Sequence, residues 1–241
     1  MCDRRRLYGT QPVLAAFPAA PLESITPSRY RDPPGTSAWK QGTLGLPNDH
    51  RKYATFLGQS FCRPTATGAI APSSRNLARR MVEWIDWPQV QTAVEYGPGT
   101  GAFTGHILER LRPAARFFAV EVNPELIEIF SKTHPSVQVY RDCVANVKSL
   151  CIREGIDRVD AIVSGLPWAT FSSGDQTEFL AATRSVLRPG GQFVTFAYLH
   201  GLLVPGGLRF RKRLRRAFAS VECSPTVWGN LPPAFVYRCR R

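Results

Sequence analysis

Residues 93–122 read AVEYGPGTGAFTGHILERLRPAARFFAVEV. An apolar run over 92–96 meets the turn Gly97-Pro98-Gly99-Thr100-Gly101. Beyond it Phe103, Ile107, Leu108 and Leu111 recur at three- and four-residue spacings, the mark of a helix with one apolar face. A second apolar run, 117–120, ends on Glu121. The order is strand, glycine turn, helix, strand, acid. Glycines at such a turn adopt positive φ and let a ligand approach the backbone. The helix that opens there offers free N–H groups. An acid about 20 residues further on suits the vicinal hydroxyls of a ribose.

The dinucleotide fingerprint G-x-G-x-x-G is the natural comparison, and the chain departs from it. Its glycines run G-x-G-x-G, Ala102 stands where a third spaced glycine would fall, and Glu95 precedes the turn by two residues. A carboxylate there repels a pyrophosphate and suits a cationic ligand. S-adenosyl-L-methionine carries a sulfonium, an ammonium and a ribose. The stretch therefore resembles motif I and the following acidic motif of class I S-adenosylmethionine-dependent methyltransferases. The resemblance implies that cofactor and an α/β, Rossmann-like sheet of seven strands. The sheet would be mostly parallel, with an antiparallel C-terminal hairpin and helices on both faces. It also implies donor contacts from Glu95, Gly97, Gly99, Thr100 and Gly101, from Glu121, Val122 and Asn123, from Asp142 (toward the adenine amino group) and Cys143, and from Ser164.

Composition sets the bounds. At 241 residues the chain suits one large domain or a domain plus an appendage, and 44% apolar content is ample for a core. Its formal charge of +13 predicts an anionic partner, nucleic acid or an acidic membrane surface. The charge is concentrated: from residue 203 onward nine Lys/Arg face one acid, Glu222, so +8 of the +13 lies there. None of the six cysteines forms a CxxC pair, which argues against a zinc site and for a reducing cytoplasm. Arg4-Arg5-Arg6 precedes a mildly apolar stretch, but Gly9, Gln11, Pro12 and Pro18 interrupt it, so it is a poor signal peptide. The uncharged run 189–208 holds five glycines and two prolines and is no transmembrane helix.

Seven prolines and no periodic pattern make 1–50 a disordered or loosely packed leader, leaving 51–241 as the domain. Within it 51–90 supplies N-terminal helices and 91–241 the core. Tyr53, Phe56, Leu57 and Phe61 share one face of a short helix with basic ends, which suits a membrane surface or a lid over the cofactor site. Ser73 or Ser74 caps a following helix that ends near Trp84. Further strands are read at 137–140, 159–164 and 192–198, alternating with helices at 144–154 and 176–187. Runs at 220–228 and 234–239, joined by Gly229-Asn230-Leu231-Pro232-Pro233, form the closing hairpin.

Methyl transfer needs a nucleophile's lone pair aligned ~3 Å from the sulfonium methyl. An ammonium must first lose a proton, and Tyr96, His200 and Asp175 are candidate bases. Gly165-Leu166-Pro167-Trp168 follows a strand, where ligands of open α/β sheets bind. The segment resembles the Asn/Asp-x-Pro-aromatic motif of amino-group methyltransferases, with glycine at the polar position. Carbonyl acceptors and a cation–π face on Trp168 would still meet a small ammonium. Gly165, Leu166, Pro167, Trp168 and Tyr96 are accordingly the candidate catalytic residues. With the segments 68–74, 95–101, 121–125, 164–168, 196–201 and 230–238, the pattern is similar to bacterial phospholipid N-methyltransferases. That resemblance implies phosphatidylethanolamine as acceptor and a monomer peripherally bound to the inner membrane face.

The end of the chain adds its own argument. The apolar loop 198–205 at the site mouth suits an acyl chain. A helix over 208–221 lines Phe210, Leu214, Ala217, Phe218 and Val221 along one face and puts six Arg/Lys on the rest, each charge near an anionic bilayer contributing ~1 kcal/mol. RNA phosphates would be attracted equally. The alternative is thus an RNA adenine N6-methyltransferase of the ribosomal dimethylase type, matched by Glu95 to Gly101. A non-enzymatic cofactor-binding adaptor is the third reading.

Overall fold

Strand β1 (Thr92–Tyr96) is buried at all five positions, so it belongs in the middle of a sheet covered on both faces. The computed structural model, which describes residues 73–241, puts it there. Seven strands lie in the order β3-β2-β1-β4-β5-β7-β6. β2 (Arg116–Glu121) and β4 (Val159–Ser164) flank β1 in parallel, and β3 (Gln138–Arg141) and β5 (Leu187–Tyr198) extend the parallel set. β7 (Ala234–Arg240) runs antiparallel to both β5 and β6 (Ser220–Cys223), forming the expected hairpin. The leader and the amphipathic 51–62 segment lie outside the described residues.

Side chains alternate across the sheet. Val94, Tyr96, Phe118, Val120, Ile162 and Phe193 face one core, covered by α4 (Val147–Arg153), α5 (Ser173–Val186) and α6 (Pro205–Ala217). Ala93, Ala161, Val163 and Val194 face the other, covered by α1 (Arg75–Glu83) and α2 (Thr104–Leu108). α3 (Pro124–Thr133) packs against β2 and β3 through Ile127 and Phe130. Ser74 caps α1 as expected, its Oγ accepting from Leu77 N at 3.2 Å.

Several boundaries differ from the sequence reading. β5 starts at Leu187, not 192: Leu187 pairs with Val159 of β4, and further along Gly190 N donates to Arg241 O and Arg241 N to Gly191 O. α6 starts at Pro205, three residues early. Proline suits a first helical position, and the glycines behind it permit a close approach. A Cβ on Gly206 would stand 2.0 Å from Ala169 O, and one on Gly207 2.0 Å from Gly201 O. The helix also stops early, so Val221 lies in β6 and not on the helical stripe.

Candidate active site

The glycine turn leaves β1 with Gly97, Gly99 and Gly101 all at positive φ, +59°, +58° and +91°. Gly97 N donates to Val120 O at 2.8 Å, which ties the turn to the end of β2. There Glu121 is buried, and its carboxylate is held by three backbone donors: Val122 N at 2.8 Å, Asn123 N at 3.0 Å and Gly99 N at 3.3 Å. Burial pushes its pKa up and the three amides pull it back, leaving it raised. A carboxylate has about four lone-pair sites, so one remains for a ligand hydroxyl after these donors.

Two small adjoining clefts open here, each of about 20 Å³. Both are lined by Gly97, Glu121 and Leu166. Gly99, Leu126, Gly165 and Pro167 complete the first. The second runs past Val122 and Asp142 to Cys143, Val144, Phe171 and Phe179, a slot with apolar walls. Asp142 is fixed at its edge, Oδ1 accepting from Cys143 N and Asn146 Nδ2, both at 2.7 Å. Burial raises the Cys143 thiol to about 11, so it stays protonated and apolar near neutrality. In chemistry the residues fit S-adenosylmethionine: a buried acid with a spare acceptor site, a glycine turn, then an acid beside a flat apolar slot. In volume they do not yet admit it. Leu166 lines both clefts and packs against Gly97, its Cδ2 2.6 Å from where a Cβ there would stand.

The acceptor segment follows β4. Gly165 N donates to Tyr96 O at 2.8 Å, which brings the two strand ends together. A Cβ at 165 would stand 2.6 Å from Gly97 O. Real Cβ atoms do not approach that closely, so no side chain fits at 165.

Other expected site residues have different duties. Trp168 is a core residue, contrary to the expected cation–π face. It is 1% exposed, stacks on Phe210 at 4.8 Å and 12°, and donates through Nε1 to Ser164 Oγ at 3.0 Å. Ser164, taken by that bond, does not line either cleft. Tyr96 is wholly buried on the α4–α6 face of the sheet, and burial drives its pKa far up, so it is no base. Asp175 forms the capping box of α5 with Ser172, which removes it as a base too. His200 sits exposed on the turn after β5, stacked on Tyr198. Of the expected carbonyl acceptors, Pro167 O already accepts from Thr170 N and Oγ1, while Leu166 O accepts from Trp168 N and keeps a lone pair.

Glu95 does not line the clefts. Its buried Oε2 accepts from Thr104 Oγ1 at 2.7 Å, tying β1 to α2, and Oε1 has no partner among the described residues. Desolvation, aided by repulsion from Glu121 and opposed by Thr104, raises its pKa from an ordinary 4.5 to about 8. Asn123 caps α3, accepting from Glu125 N at 2.9 Å, and Thr100 is exposed on the turn away from the clefts. Sequence reasoning missed Leu126, Phe171 and Phe179 in the walls. It also missed His134, whose ring packs on Phe130 and lies where a Cβ on Gly101 would be, 2.3 Å away. Nothing in the local pattern marks these four, since each reads as an ordinary helix-face or loop residue.

A family profile described as a methyltransferase domain matches residues 93–191. The chain is 30% identical over 195 residues to the ornithine lipid N-methyltransferase of Singulisphaera acidiphila, a match spanning 79% of this chain and 96% of that protein. The fold is similar to an O-methyltransferase from Bacillus cereus solved with SAH (TM-score 0.59, 13% identity, 81% of this chain and 93% of that one). It is also similar to the O-methyltransferase TomG from Streptomyces achromogenes solved with SAM (TM-score 0.58, 17% identity, 82% and 92%).

Proposed function

The chain belongs to the class I S-adenosylmethionine-dependent methyltransferases, and on that premise we propose that it methylates the primary amine of a membrane lipid. The donor is S-adenosylmethionine, which supplies an electrophilic methyl on a sulfonium. Glu121 would hold its ribose, Asp142 and the Val144–Phe171–Phe179 slot its adenine, and Gly97 and Gly99 would let it lie on the backbone. The observation that carries the acceptor reading is at Gly165. With 2.6 Å between a would-be Cβ and Gly97 O, there is no room for the polar side chain that pairs with a planar base amine, and Trp168 beside it is closed inside the core. A small ammonium needs neither. It can donate to Leu166 O and lose its proton to solvent or His200 as it enters.

Two further features support a bilayer as the workplace. Large apolar side chains stand exposed at the end of the sheet where β4 and β5 finish: Leu203 and Leu208 after β5, and Trp228 and Leu231 before β7. The two loops are joined there by Leu199 N donating to Pro233 O at 2.8 Å. Beside them lies the basic α6. Among the described residues no helix is long and apolar enough to cross a membrane, so such contact would be peripheral. Phosphatidylethanolamine carries the required ammonium. So does an ornithine lipid, which the similarity to the Singulisphaera enzyme favours.

The test offers methyl-labelled donor and the full chain to liposomes of each amine lipid, with and without anionic lipid. Label on a lipid nitrogen, increased by anionic lipid, is the expected result. Label in ribosomal RNA with none in either lipid would overturn the reading.

A further inference from the structure

A cavity of about 480 Å³ lies apart from the donor site. It is a groove on the outer surface between α5 and α6. Its floor is apolar, made by Leu180, Ala181 and Ala217. Its rim is cationic, with Arg184 from α5 and Arg209, Lys212 and Arg216 from α6. The spacings 177, 180, 181, 184 and 209, 212, 213, 216 put each set on one helical face, so the two helices turn matching sides to the groove. No acid lines it.

The walls are fixed in place. Arg213 lies across the groove's upper end, its guanidinium donating to Thr177 Oγ1 at 3.1 Å, Gln176 Oε1 at 3.0 Å and Ser173 Oγ at 2.5 Å. Three of its five N–H donors are used this way, and two are left. Gln176 in turn donates to Trp168 O at 2.7 Å and Gly206 O at 3.2 Å, which pins the start of α6 against α5. A preformed concave site loses less entropy on binding than one that must assemble.

We propose that this groove is a second lipid site, which holds the phosphate of an anionic phospholipid on its basic rim and the first part of an acyl chain on its floor. The charge selects an anion, and five cations about one groove exceed what a solvated helix face requires. The floor selects the source. Free phosphate gains nothing from Leu180, Ala181 and Ala217, and no aromatic residue lines the groove to stack a nucleic-acid base. The site is separate from the acceptor segment, and its ligand is not methylated. The inference shares with the proposed function only the membrane as workplace, so it can fail or hold independently of the acceptor's identity.

The test is a titration of the full chain with dioctanoyl phosphatidylglycerol below its micelle concentration, read by calorimetry with no methyl donor present. Saturable binding is expected. Arg184→Gln with Arg216→Gln should weaken it at least tenfold. Arg215→Gln with Arg240→Gln removes the same charge from exposed positions outside the groove and should change it less than threefold. Donor affinity should be unchanged in both, which also reports folding. Equal losses in the two double variants would mean a diffuse field and no site. Inorganic phosphate or an RNA oligonucleotide binding as tightly as the lipid, with the same loss in the groove variant, would also overturn the proposal.

Discussion

The glycine turn and the acceptor segment touch at one point, Gly97 against Gly165, yet they differ in how much of their working is local. The turn is built from its own backbone: three positive-φ glycines and one amide, Gly99 N, that donates to Glu121. The segment 164–168 is shaped from outside, by Phe210, Phe193 and Phe179 around Trp168 and by Gln176 on its carbonyl. On the proposed reading, donor binding is thus a property of one stretch of sequence, whereas acceptor geometry is a property of the packed face beneath it.

Gly165→Asn breaks the contact between the two and should have the largest effect. It restores the polar residue of the adenine methylases at a place where Cβ meets backbone, 2.6 Å from Gly97 O. Misplacing the two strand ends by about an ångström costs about a hundredfold in rate, so methyl transfer should fall by at least about that much. An active variant would show that position 165 is open and would revive the nucleobase acceptor. Next comes Glu121→Ala. A charge-assisted hydrogen bond contributes about 1.5–3 kcal/mol, so donor affinity by calorimetry should weaken by about ten- to a hundredfold. Unchanged affinity would remove the ribose assignment.

These two sites were unequally legible in the sequence. Gly97, Glu121 and Asp142 could be assigned because strand, turn and acid repeat a local register. Trp168 could not, since an aromatic after proline reads the same whether it faces a ligand or a core. Tyr96 failed for a related reason: β1 is buried on both faces, so alternation does not say which residue reaches the ligand. The early start of α6 was hidden because Gly206 and Gly207 carry no helical signal. Their reason is a close approach to Ala169 and Gly201, distant in pattern though near in space. The groove between α5 and α6 was half visible, as a charged helix without its partner.

Glu95 sharpens the comparison through pH. Folded, it keeps its proton up to about pH 8; unfolded, it loses it from about 4.5. Its contribution to stability is therefore complete below pH 4.5 and is lost as pH rises toward 8, by up to about 1.4 kcal/mol per pH unit. Glu121, also raised, adds in the same direction. Denaturant midpoints between pH 5 and 8 should fall with pH in the native chain. They should fall less in Glu95→Gln, which keeps an acceptor for Thr104. An equal slope in both would mean that Glu95 is ionised in the fold.

The smallest effect on catalysis is expected at Trp168→Phe. Losing the bond to Ser164 should cost about 1 kcal/mol of stability. A residue sealed in the core should leave kcat/KM for the acceptor within about threefold. A tenfold loss with stability preserved would show that the ring meets the substrate after all.

The most direct measurement of the central claim is a competition in one vessel. The full chain receives labelled S-adenosylmethionine, amine-lipid liposomes and ribosomal RNA together, and the label is located by mass analysis of each product. The methyl is expected on a lipid nitrogen. Label on RNA adenine, with the lipid amine untouched, would contradict it.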